Sequence, residues 1–482
     1  MEFVIPQFQP AYPEIALLSA ICVVLVADLF VPTNRRIVTW SLALLSLAVT
    51  AGFLLDGGFA STVTTFSGSY IADPLGSLLK LFAVLSMALV LIYARDYLRE
   101  HALERGEFYV LALFSLLGIM VMVSAASLLT MYMGLEVLSL SLYAMVAFDR
   151  DSSVSAEAAM KYFVLGAIAS GILLYGVSLV YGTLGSVQFA DLAQALSRTD
   201  GNDLGFWFGL SFLVAGIAFK FGAVPFHMWI PDVYHGARTP VTLLIGTAPK
   251  IASFALAIRV LVDGLGDLHA AWQSMLIVLA VGSIALGNLV ALAQTNLKRM
   301  LAYSTISHVG FILMGILAGT TAGYRAALFY TLTYVLMSAG AFAMILLLSR
   351  RGFEADNIDD FRGLNRRSPW FAAMMACFMF GLAGIPPWVG FWGKLNVISA
   401  VLNAGDGSLY LALAIIMVVF SVIGAFYYLR VLKVIYFDAP ESSEQISKPI
   451  DFRWVLSANA LAVLGLGCFP GLLLKLCSDV IA

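Results

Sequence analysis

The stretch Phe212-Leu-Val-Ala-Gly-Ile-Ala-Phe-Lys220-Phe-Gly-Ala-Val-Pro225-Phe-His227 decides the fold of this chain. It is an apolar, helix-forming run that carries a lysine and is then broken by glycine and proline. A proline inside a helix removes a hydrogen bond, and in a membrane the freed carbonyl groups need partners from protein or water. A charge near the bilayer centre costs roughly 2.5–3.5 kcal/mol on insertion scales. The segment therefore predicts a polar break at mid-membrane in a chain that binds or moves charge.

The composition of the whole chain supports a membrane protein. Of its 482 residues, 61% are hydrophobic and 12% are charged, whereas soluble domains carry about 25% charged residues. The apolar residues form blocks of about twenty, which is long enough to cross roughly 30 Å of hydrocarbon as a helix. The predicted fold class is therefore an all-α polytopic membrane protein. The net charge of −2 gives no reason to expect a nucleic-acid partner.

About fourteen transmembrane spans are predicted. They are 12–31, 37–55, 73–94, 108–124, 127–148, 157–181, 204–235, 241–262, 272–293, 300–318, 323–349, 370–400, 409–436 and 454–475. The seventh span is interrupted by Gly222 and Pro225, and the twelfth by Pro386-Pro387. We expect residues 1–482 to form a single membrane domain, whose first span is retained rather than cleaved as a signal peptide.

The basic residues in the loops and at the ends of the spans divide unequally between the two sides of the membrane. Numbering the loops alternately places eighteen Arg and Lys residues on one side and four on the other, namely Arg198, Arg259, Arg325 and Lys475. By the positive-inside rule, the richer side is cytoplasmic. Both termini then face outward, and the loop 350–369 faces the cytoplasm.

Four polar residues inside the membrane suggest an internal repeat. Glu136 in span five precedes Lys220 in span seven by 84 residues, and His308 in span ten precedes Lys394 in span twelve by 86. Each counterpart lies five spans further on, so the second unit would be inverted, as in many transporters whose sites lie at broken helices. The predicted parts are three N-terminal helices (1–107), a five-helix unit of spans 4–8 (108–262), an inverted unit of spans 9–13 (272–436) and a C-terminal helix (454–475).

Glu136, Lys220 and Lys250 form the first candidate site. A nearby carboxylate keeps a buried lysine charged, and its removal favours loss of the proton. A contact between Glu136 and Lys220 would therefore act as a two-state switch; a static ion pair that fixes helix packing is the alternative. Lys250 follows Pro249 and has no adjacent acid in the sequence, which suits a relay, while the alternative is a lysine satisfied by backbone carbonyls.

The remaining polar residues of the spans carry weaker signals. His308 titrates near neutrality and suits proton transfer, although a lone histidine also serves as a neutral hydrogen-bonding group. Lys394 either belongs to the second site or extends to the outer surface. Lys161 lies about one turn inside span six, where it either reaches the cytoplasm or marks a possible proton entrance. The sequence assigns no role to Lys80.

The sequence contains no recognisable site for a redox cofactor or nucleotide. Its four cysteines, Cys22, Cys377, Cys468 and Cys477, form no C-x-x-C pair, and no iron–sulfur or zinc spacing is present. There is no G-x-G-x-x-G after a strand and no P-loop. If the chain serves an energy-converting enzyme, we expect the redox chemistry to take place in other subunits.

Four stretches resemble the antiporter-like membrane subunits of respiratory complex I. They are Met131-Tyr-Met-Gly-Leu-Glu136-Val-Leu-Ser-Leu, the run from Phe219 to Val241 around Lys220, Asn296-Leu-Lys-Arg-Met-Leu-Ala-Tyr-Ser-Thr-Ile-Ser-His308 and Gly381-Leu-Ala-Gly-Ile-Pro-Pro. The resemblance covers essentially the whole chain. A lysine at position 394 fits the N and L branches of this family better than the M branch, where glutamate is usual. The chain shows no long lateral helix after span fourteen, which is unlike the L branch.

The resemblance implies proton translocation driven by quinone reduction in neighbouring subunits. It implies roles for Glu136 and Lys220 in a first half-channel, for Lys250 as a connecting lysine, and for His308 and Lys394 on the second side. The chain itself would hold no cofactor, and NADH, FMN, iron–sulfur clusters and quinone would belong to partner subunits. The implied partners are an antiporter-like M subunit, a small K-type subunit and the lipids of a bacterial inner membrane.

Three other functions remain open from the sequence alone. The motif around Lys220 also occurs in multisubunit cation/proton antiporters, and the membrane arm of a proton-pumping hydrogenase is a related possibility. From a different class, the chain could be a scaffold whose ionic residues only hold its neighbours together.

Overall fold

The protein is almost entirely helical in the computed structural model, which describes residues 6–57, 62–196, 203–440 and 448–481. The helices are α1 (Tyr12–Asp28), α2 (Ile37–Gly57), α3 (Pro74–Glu100), α4 (Gly106–Val123), α5 (Leu128–Val146), α6 (Ser153–Leu184), α7 (Phe189–Leu196), α8 (Leu204–Phe221), α9 (Trp229–Gly236), α10 (Thr239–Ile245), α11 (Ala248–Ala257), α12 (His269–Leu292), α13 (Leu297–Leu317), α14 (Thr321–Leu348), α15 (Leu364–Arg367), α16 (Pro369–Ala383), α17 (Val389–Leu402), α18 (Ser408–Tyr436), α19 (Ile450–Cys468) and α20 (Gly471–Val480). Two short antiparallel strands, β1 (Val63–Thr65) and β2 (Tyr70–Ala72), precede α3.

The predicted polytopic fold is confirmed. Within the described ranges, thirteen helical segments are long and apolar enough to cross a membrane, and the shorter apolar helices α16 and α17 together fill the predicted twelfth span. The seventh span differs in detail from its prediction, because α8 ends at Phe221 and the chain continues through a break into α9. The last predicted span is also divided, because Pro470 separates α19 from α20. Arg198, one of the four basic residues predicted on the outer side, lies outside the described residues.

A backbone arrangement near the start of α5 is reproduced at the start of α13, 169 residues later. Ser127 caps α5 and forms an isolated β-bridge with Gln188, and Asn296 caps α13 and forms one with Asn357. Asparagine and serine are preferred N-cap residues because their side chains accept hydrogen bonds from the first turn. Both members of the second bridge lie 169 positions after their counterparts in the first.

The two capped helices, α5 and α13, each pack against the long helix before them, and the two pairs have the same register. A Cβ atom placed on Gly118 of α4 would lie 2.5 Å from the backbone nitrogen of Leu138, and one on Gly287 of α12 would lie 2.6 Å from that of Ser307. Both glycines are therefore required by close backbone contact rather than by a turn. The offset is again 169, so α4–α5 and α12–α13 are equivalent pairs.

The two equivalent arrangements lie at opposite ends of α3. Gln188 donates from Nε2 to Ser67 O at 3.0 Å in the hairpin loop before α3, whereas the loop containing Asn357 also contains Glu354, which accepts a hydrogen bond from Tyr97 near the end of α3. The 27 residues of α3 extend over about 40 Å. This placement agrees with the inverted repeat predicted from the sequence. The exact bounds of the two units stay predictions.

Candidate functional site

The first break lies between α8 and α9. Gly222 adopts the left-handed conformation at φ 76°, and the amides of Gly222 and Ala223 donate to Phe219 O at 2.9 Å and Ala218 O at 2.8 Å. This is a Schellman ending, which favours glycine because a Cβ atom is strained at positive φ. Pro225 follows three residues later and cannot continue the helix.

Three carbonyl groups at the end of α8 receive side-chain donors from elsewhere in the fold. The donors are Trp229 Nε1 to Phe219 O at 3.1 Å, Ser253 Oγ to Lys220 O at 3.1 Å and Lys250 Nζ to Phe221 O at 2.9 Å. Lys250 is buried, with 1% of its surface exposed. The break is therefore filled by polar side chains, as membrane burial requires. For Lys250, the structure agrees with the interpretation in which a backbone carbonyl satisfies the lysine.

Lys220 has a serine as its described partner. Its Nζ donates to Ser139 Oγ at 2.9 Å, and Ser139 Oγ donates to Leu135 O at 2.6 Å. A cavity of about 30 Å³ lies between Ser139, Lys220 and Lys250, which is room for at least one water molecule. Lys220 and Lys250 thus adjoin one small polar space beside the break.

Glu136 does not form the predicted ion pair with Lys220. No ion pair among the described residues joins the two, and Glu136 Oε1 is buried without a hydrogen-bond partner in that part of the chain. Glu136 is only half-buried and lies on a stripe of α5 whose members Met133 and Leu140 are 62% and 56% exposed. The carboxylate is therefore at a lateral face of the chain, one turn before Ser139. Sequence spacing could not predict this, because it does not say which face of α5 points inward.

The second break, between α16 and α17, has the same backbone ending. Gly384 has φ 81°, and the amides of Gly384 and Ile385 donate to Gly381 O at 3.0 Å and Phe380 O at 3.1 Å. Lys394 Nζ donates to Ala383 O, the last carbonyl of α16, at 2.8 Å. Lys394 is 9% exposed, so it belongs to this break and does not extend to the outer surface.

The two breaks align with an offset of 162 residues, which changes the pairing of the lysines. Phe221 and Ala383 occupy the same place at the end of a broken helix, and each of their carbonyls accepts from a lysine ammonium. Lys250 and Lys394 therefore occupy equivalent capping positions, although they come from different helices. The position of Lys220 corresponds to Leu382, which is 1% exposed. The sequence spacing had instead paired Lys220 with Lys394.

His308 is buried between two tyrosines. Its Nδ1 lies 2.7 Å from Tyr330 Oη and its Nε2 lies 3.0 Å from Tyr428 Oη, and 4% of the residue is exposed. In the 169-residue register, His308 takes the place of Ser139. A neutral imidazole can donate from one nitrogen and accept at the other, so the arrangement suits both a static hydrogen bond and proton transfer. Sequence reasoning missed both tyrosines, whose only signal was their position inside apolar spans.

Lys161 lies at the membrane end where the arginines are concentrated and is 44% exposed. Its Nζ contacts Asp232 Oδ2 at 2.8 Å and Glu157 Oε1 at 2.9 Å, and Arg299 contacts the other oxygen of Asp232 at 3.0 Å. This ionic network joins α6, α9 and α13. Lys161 is therefore separate from the two buried breaks.

Two buried ionic clusters were not predicted. Lys80 Nζ contacts Glu14 Oε1, and Tyr70 Oη donates to Glu14 Oε2 at 2.8 Å. Lys80 and Glu14 are 66 positions apart in sequence, so no spacing rule relates them. Arg259, predicted on the outer side, is 4% exposed and contacts Asp73 at 2.7 Å and Asp263 at 2.9 Å.

The comparisons with known proteins agree over the whole chain. Residues 125–424 match the family described as NADH:quinone oxidoreductase/Mrp antiporter, transmembrane. NADH-quinone oxidoreductase subunit N of Thioalkalivibrio sulfidiphilus is 56% identical over 483 residues, covering 100% of both chains. A chain in respiratory complex I of Thermus thermophilus is 32% identical with a TM-score of 0.82, covering 97% of this chain and 99% of that one. A chain of the Mrp complex from Dietzia sp. shares the fold, with 22% identity, a TM-score of 0.83 and coverage of 98% and 96%.

Proposed function

The chain belongs to the NADH:quinone oxidoreductase/Mrp antiporter membrane family, and we propose that it acts as an N-type, proton-translocating subunit in the membrane arm of an NADH–quinone oxidoreductase. Full-length identity of 56% to a subunit N supports this assignment. The chain contributes no redox group in this proposal. NADH, FMN, iron–sulfur clusters and quinone are bound by partner subunits, whose electron transfer drives the protons.

The observation that carries the proposal is the lysine on the last carbonyl of each broken helix. Lys250 on Phe221 O and Lys394 on Ala383 O have no carboxylate within ion-pair distance among the described residues. An ammonium and a neutral amine can both donate an N–H to a carbonyl, so either lysine can release or take a proton without losing this bond. The hydrogen bond from the lysine to the carbonyl thus stays intact through a transfer cycle. A carboxylate–lysine pair would instead lose its ionic attraction when the lysine releases its proton.

Lys220 and Lys250 form the transfer pair of the first unit. They adjoin the same small cavity beside the break, and a bridging water would allow proton transfer between their amino groups. Glu136, one turn from Ser139 on α5, acts as a counter-charge that approaches or leaves Lys220. In the present arrangement, Lys220 donates a hydrogen bond to Ser139 and forms no ion pair with Glu136 among the described residues. This corresponds to the open state of the proposed switch.

The second unit continues the path through His308. Its two tyrosine partners, Tyr330 and Tyr428, come from α14 and α18, and Gly393, next to Lys394, packs against the ring of Tyr330. Hydroxyl and imidazole groups can exchange protons along such a chain of hydrogen bonds. Protons enter from the cytoplasm beside Lys161 and pass from the first unit to the second.

The exposed face around Glu136 is the proposed contact with a neighbouring membrane subunit. A half-buried carboxylate whose Oε1 has no hydrogen-bond partner in the described chain would be costly against lipid. The surrounding stripe is apolar and exposed at Met133, Val137 and Leu140. A neighbouring subunit with a hydrogen-bond donor at this depth would bind the Glu136 carboxylate, and its surface would cover the exposed apolar stripe. An antiporter-like M subunit and a small K-type subunit are the partners that the family suggests.

The proposed location is the inner membrane of a bacterial cell. The loops rich in arginine, including 350–369, face the cytoplasm by the positive-inside rule. Both chain ends then lie on the periplasmic side.

The test is NADH-driven, quinone-dependent proton uptake in inverted vesicles from cells whose chain carries Lys220→Ala or Glu136→Ala. We expect the ratio of protons moved to NADH oxidised to fall in both variants, while Asp406→Asn, at an exposed position, leaves it unchanged. Normal pumping with normal assembly in both variants would rule out the proposal. Sodium-dependent pH changes without NADH or quinone would instead identify a cation/proton antiporter.

A further inference from the structure

A groove of about 580 Å³ lies between the first turns of α16 and α19. Trp370 and Trp454 flank its mouth and are 54% and 72% exposed. Trp370 Nε1 donates to Ser457 Oγ at 3.1 Å, so a hydrogen bond joins the two helices across the groove. The groove is at the membrane end that carries most of the arginines.

The floor of the groove is an apolar stripe on one face of α19. Ile450, Trp454, Ala458 and Leu461 follow one another at helical spacing, which places them on a single face. Ile450 is 73% exposed and Leu461 is 57% exposed. The twelve residues from first to last are separated by eleven helical steps and extend over about 16 Å, close to half of the roughly 30 Å hydrocarbon core. The stripe therefore has the length of one leaflet.

Arg453, a cation without a carboxylate partner among the described residues, lies at the mouth. The guanidinium of Arg453 is 5.9 Å from the ring centroid of Phe371. The neighbouring carboxylates have other cations: Asp451 contacts Arg95 at 3.5 Å, and Lys448 contacts Asp96 at 3.4 Å. In the described part of the chain, no carboxylate lies within ion-pair distance of Arg453.

We propose that this groove binds one anionic phospholipid, with its phosphate on Arg453 and an acyl chain along the α19 stripe. Tryptophan is enriched at the headgroup level of membranes, and basic pockets between membrane helices on the cytoplasmic side bind anionic headgroups. The described lining offers a guanidinium and no carboxylate for a headgroup amine. Phosphatidylglycerol or cardiolipin is therefore favoured over phosphatidylethanolamine. This binding does not depend on the proposed proton transfer.

The test measures phospholipid retained by the assembled complex. The complex is purified in mild detergent, incubated with equal amounts of phosphatidylglycerol and phosphatidylethanolamine, delipidated stepwise and analysed by native mass spectrometry. Arg453→Gln should reduce the preference for phosphatidylglycerol about fivefold, as the loss of one basic contact implies. Ala458→Trp fills the groove and should remove one retained phospholipid. The control is Val422→Trp on α18, whose wild-type residue is 69% exposed outside the groove.

A photo-reactive residue at Leu461 provides a second readout in the otherwise unchanged chain. A lipid adduct that Ala458→Trp abolishes supports the proposal. Equal phospholipid retention in wild type and Ala458→Trp would overturn it. A cross-link to another polypeptide would also overturn it, because a partner subunit would then cover the groove.

Discussion

The two broken helices have the same ending but acquire their lysine from different places. In both, a left-handed glycine follows the last helical residue, and a lysine ammonium binds a carbonyl at the end of the helix. Lys250 reaches the first break from α11, which follows the broken helix, whereas Lys394 reaches the second from α17, which is the second half of the broken helix itself. What recurs is therefore a cation at a helix C-terminus, where the helix dipole is negative, and not a particular sequence position.

The surroundings of the breaks differ more than their endings. The first break has Lys220 and Ser139 beside the capping lysine. In the equivalent places, the second has Leu382 and His308. The first unit thus concentrates two lysines at one cavity, and the second has one lysine and an imidazole held by two tyrosines. The first break thus has two amino groups beside it, whereas the second has one amino group and a chain of hydrogen bonds through an imidazole.

The largest effect should come from removing either capping lysine. We expect Lys250→Met and Lys394→Met each to lower the proton-pumping rate at least about tenfold, a barrier increase of about 1.4 kcal/mol. Each variant also leaves a buried carbonyl without its donor, at a cost of about 1–3 kcal/mol. The measurement is NADH-driven proton uptake in vesicles, with Lys475→Met at an exposed position as the control.

Glutamine variants at the same two positions separate capping from proton transfer. Lys250→Gln and Lys394→Gln keep an N–H donor but carry no titratable proton. We expect better assembly than in the methionine variants, with pumping still low in both. Full pumping in one glutamine variant but not the other would break the equivalence of the two lysines.

A smaller effect should follow from Gly384→Ala. A Cβ atom at this position would lie 2.7 Å from Cδ and 3.3 Å from Nζ of Lys394, so the lysine side chain would have to shift and its hydrogen bond to Ala383 O would be disturbed. We expect pumping to fall several-fold while the complex still assembles. Gly185 has the same left-handed conformation at the end of α6, with open space around it. Gly185→Ala should therefore cost only backbone strain of about 1–2 kcal/mol and leave pumping unchanged. Equal pumping by the two alanine variants would contradict the role given to Gly384.

Much of this fold could be predicted from the sequence because the membrane imposes strong rules. Blocks of about twenty apolar residues fix the spans, and Pro225 and Pro386 indicate both breaks by their positions inside such blocks. The buried lysines were recognisable because charge is rare in such blocks. These signals are local, and each can be read from a single span.

The contacts of the site could not be predicted because they depend on helix orientation and on distant residues. Glu136 seemed the natural partner of Lys220, yet α5 directs Ser139 to the lysine and Glu136 to the lateral face. The similar sequence separations in the two units pair Lys220 with Lys394. The loops of the two units differ in length, however, and this hides the register in which the two breaks are structurally equivalent. Lys80 found its partner in Glu14, from another helix. Such pairings can be identified only when the packing of the helices is known.

The last effect concerns stability rather than pumping, in the loops that the 169-residue register makes equivalent. Glu354 corresponds to Gly185, and the carboxylate accepts hydrogen bonds from Tyr97 and Thr239. Burial raises the pKa of Glu354, but Lys298 and the two hydroxyl donors outweigh it, so the pKa is below its usual value. A depressed pKa means that Glu354 stabilises the fold above about pH 4.5, and that this contribution is lost as the pH falls through the lower, folded-state pKa.

Glu354→Gln should therefore lower the free energy of unfolding by about 1–3 kcal/mol at neutral pH. The difference from wild type should shrink as the pH falls below about 4.5, the unfolded-state pKa of glutamate. Thermal unfolding of the detergent-solubilised chain between pH 7.5 and pH 3.5 measures both. Asp359→Asn is the control, because this carboxylate is 64% exposed in its pair with Arg362 and such pairs contribute about 0–1 kcal/mol. If the loss of unfolding free energy in Glu354→Gln were constant across this pH range, it would come from the shape of the side chain rather than from its charge. The charge of Glu354 would then add no stability to its loop, and the equivalent loop with Gly185 would lack nothing by being uncharged at this position.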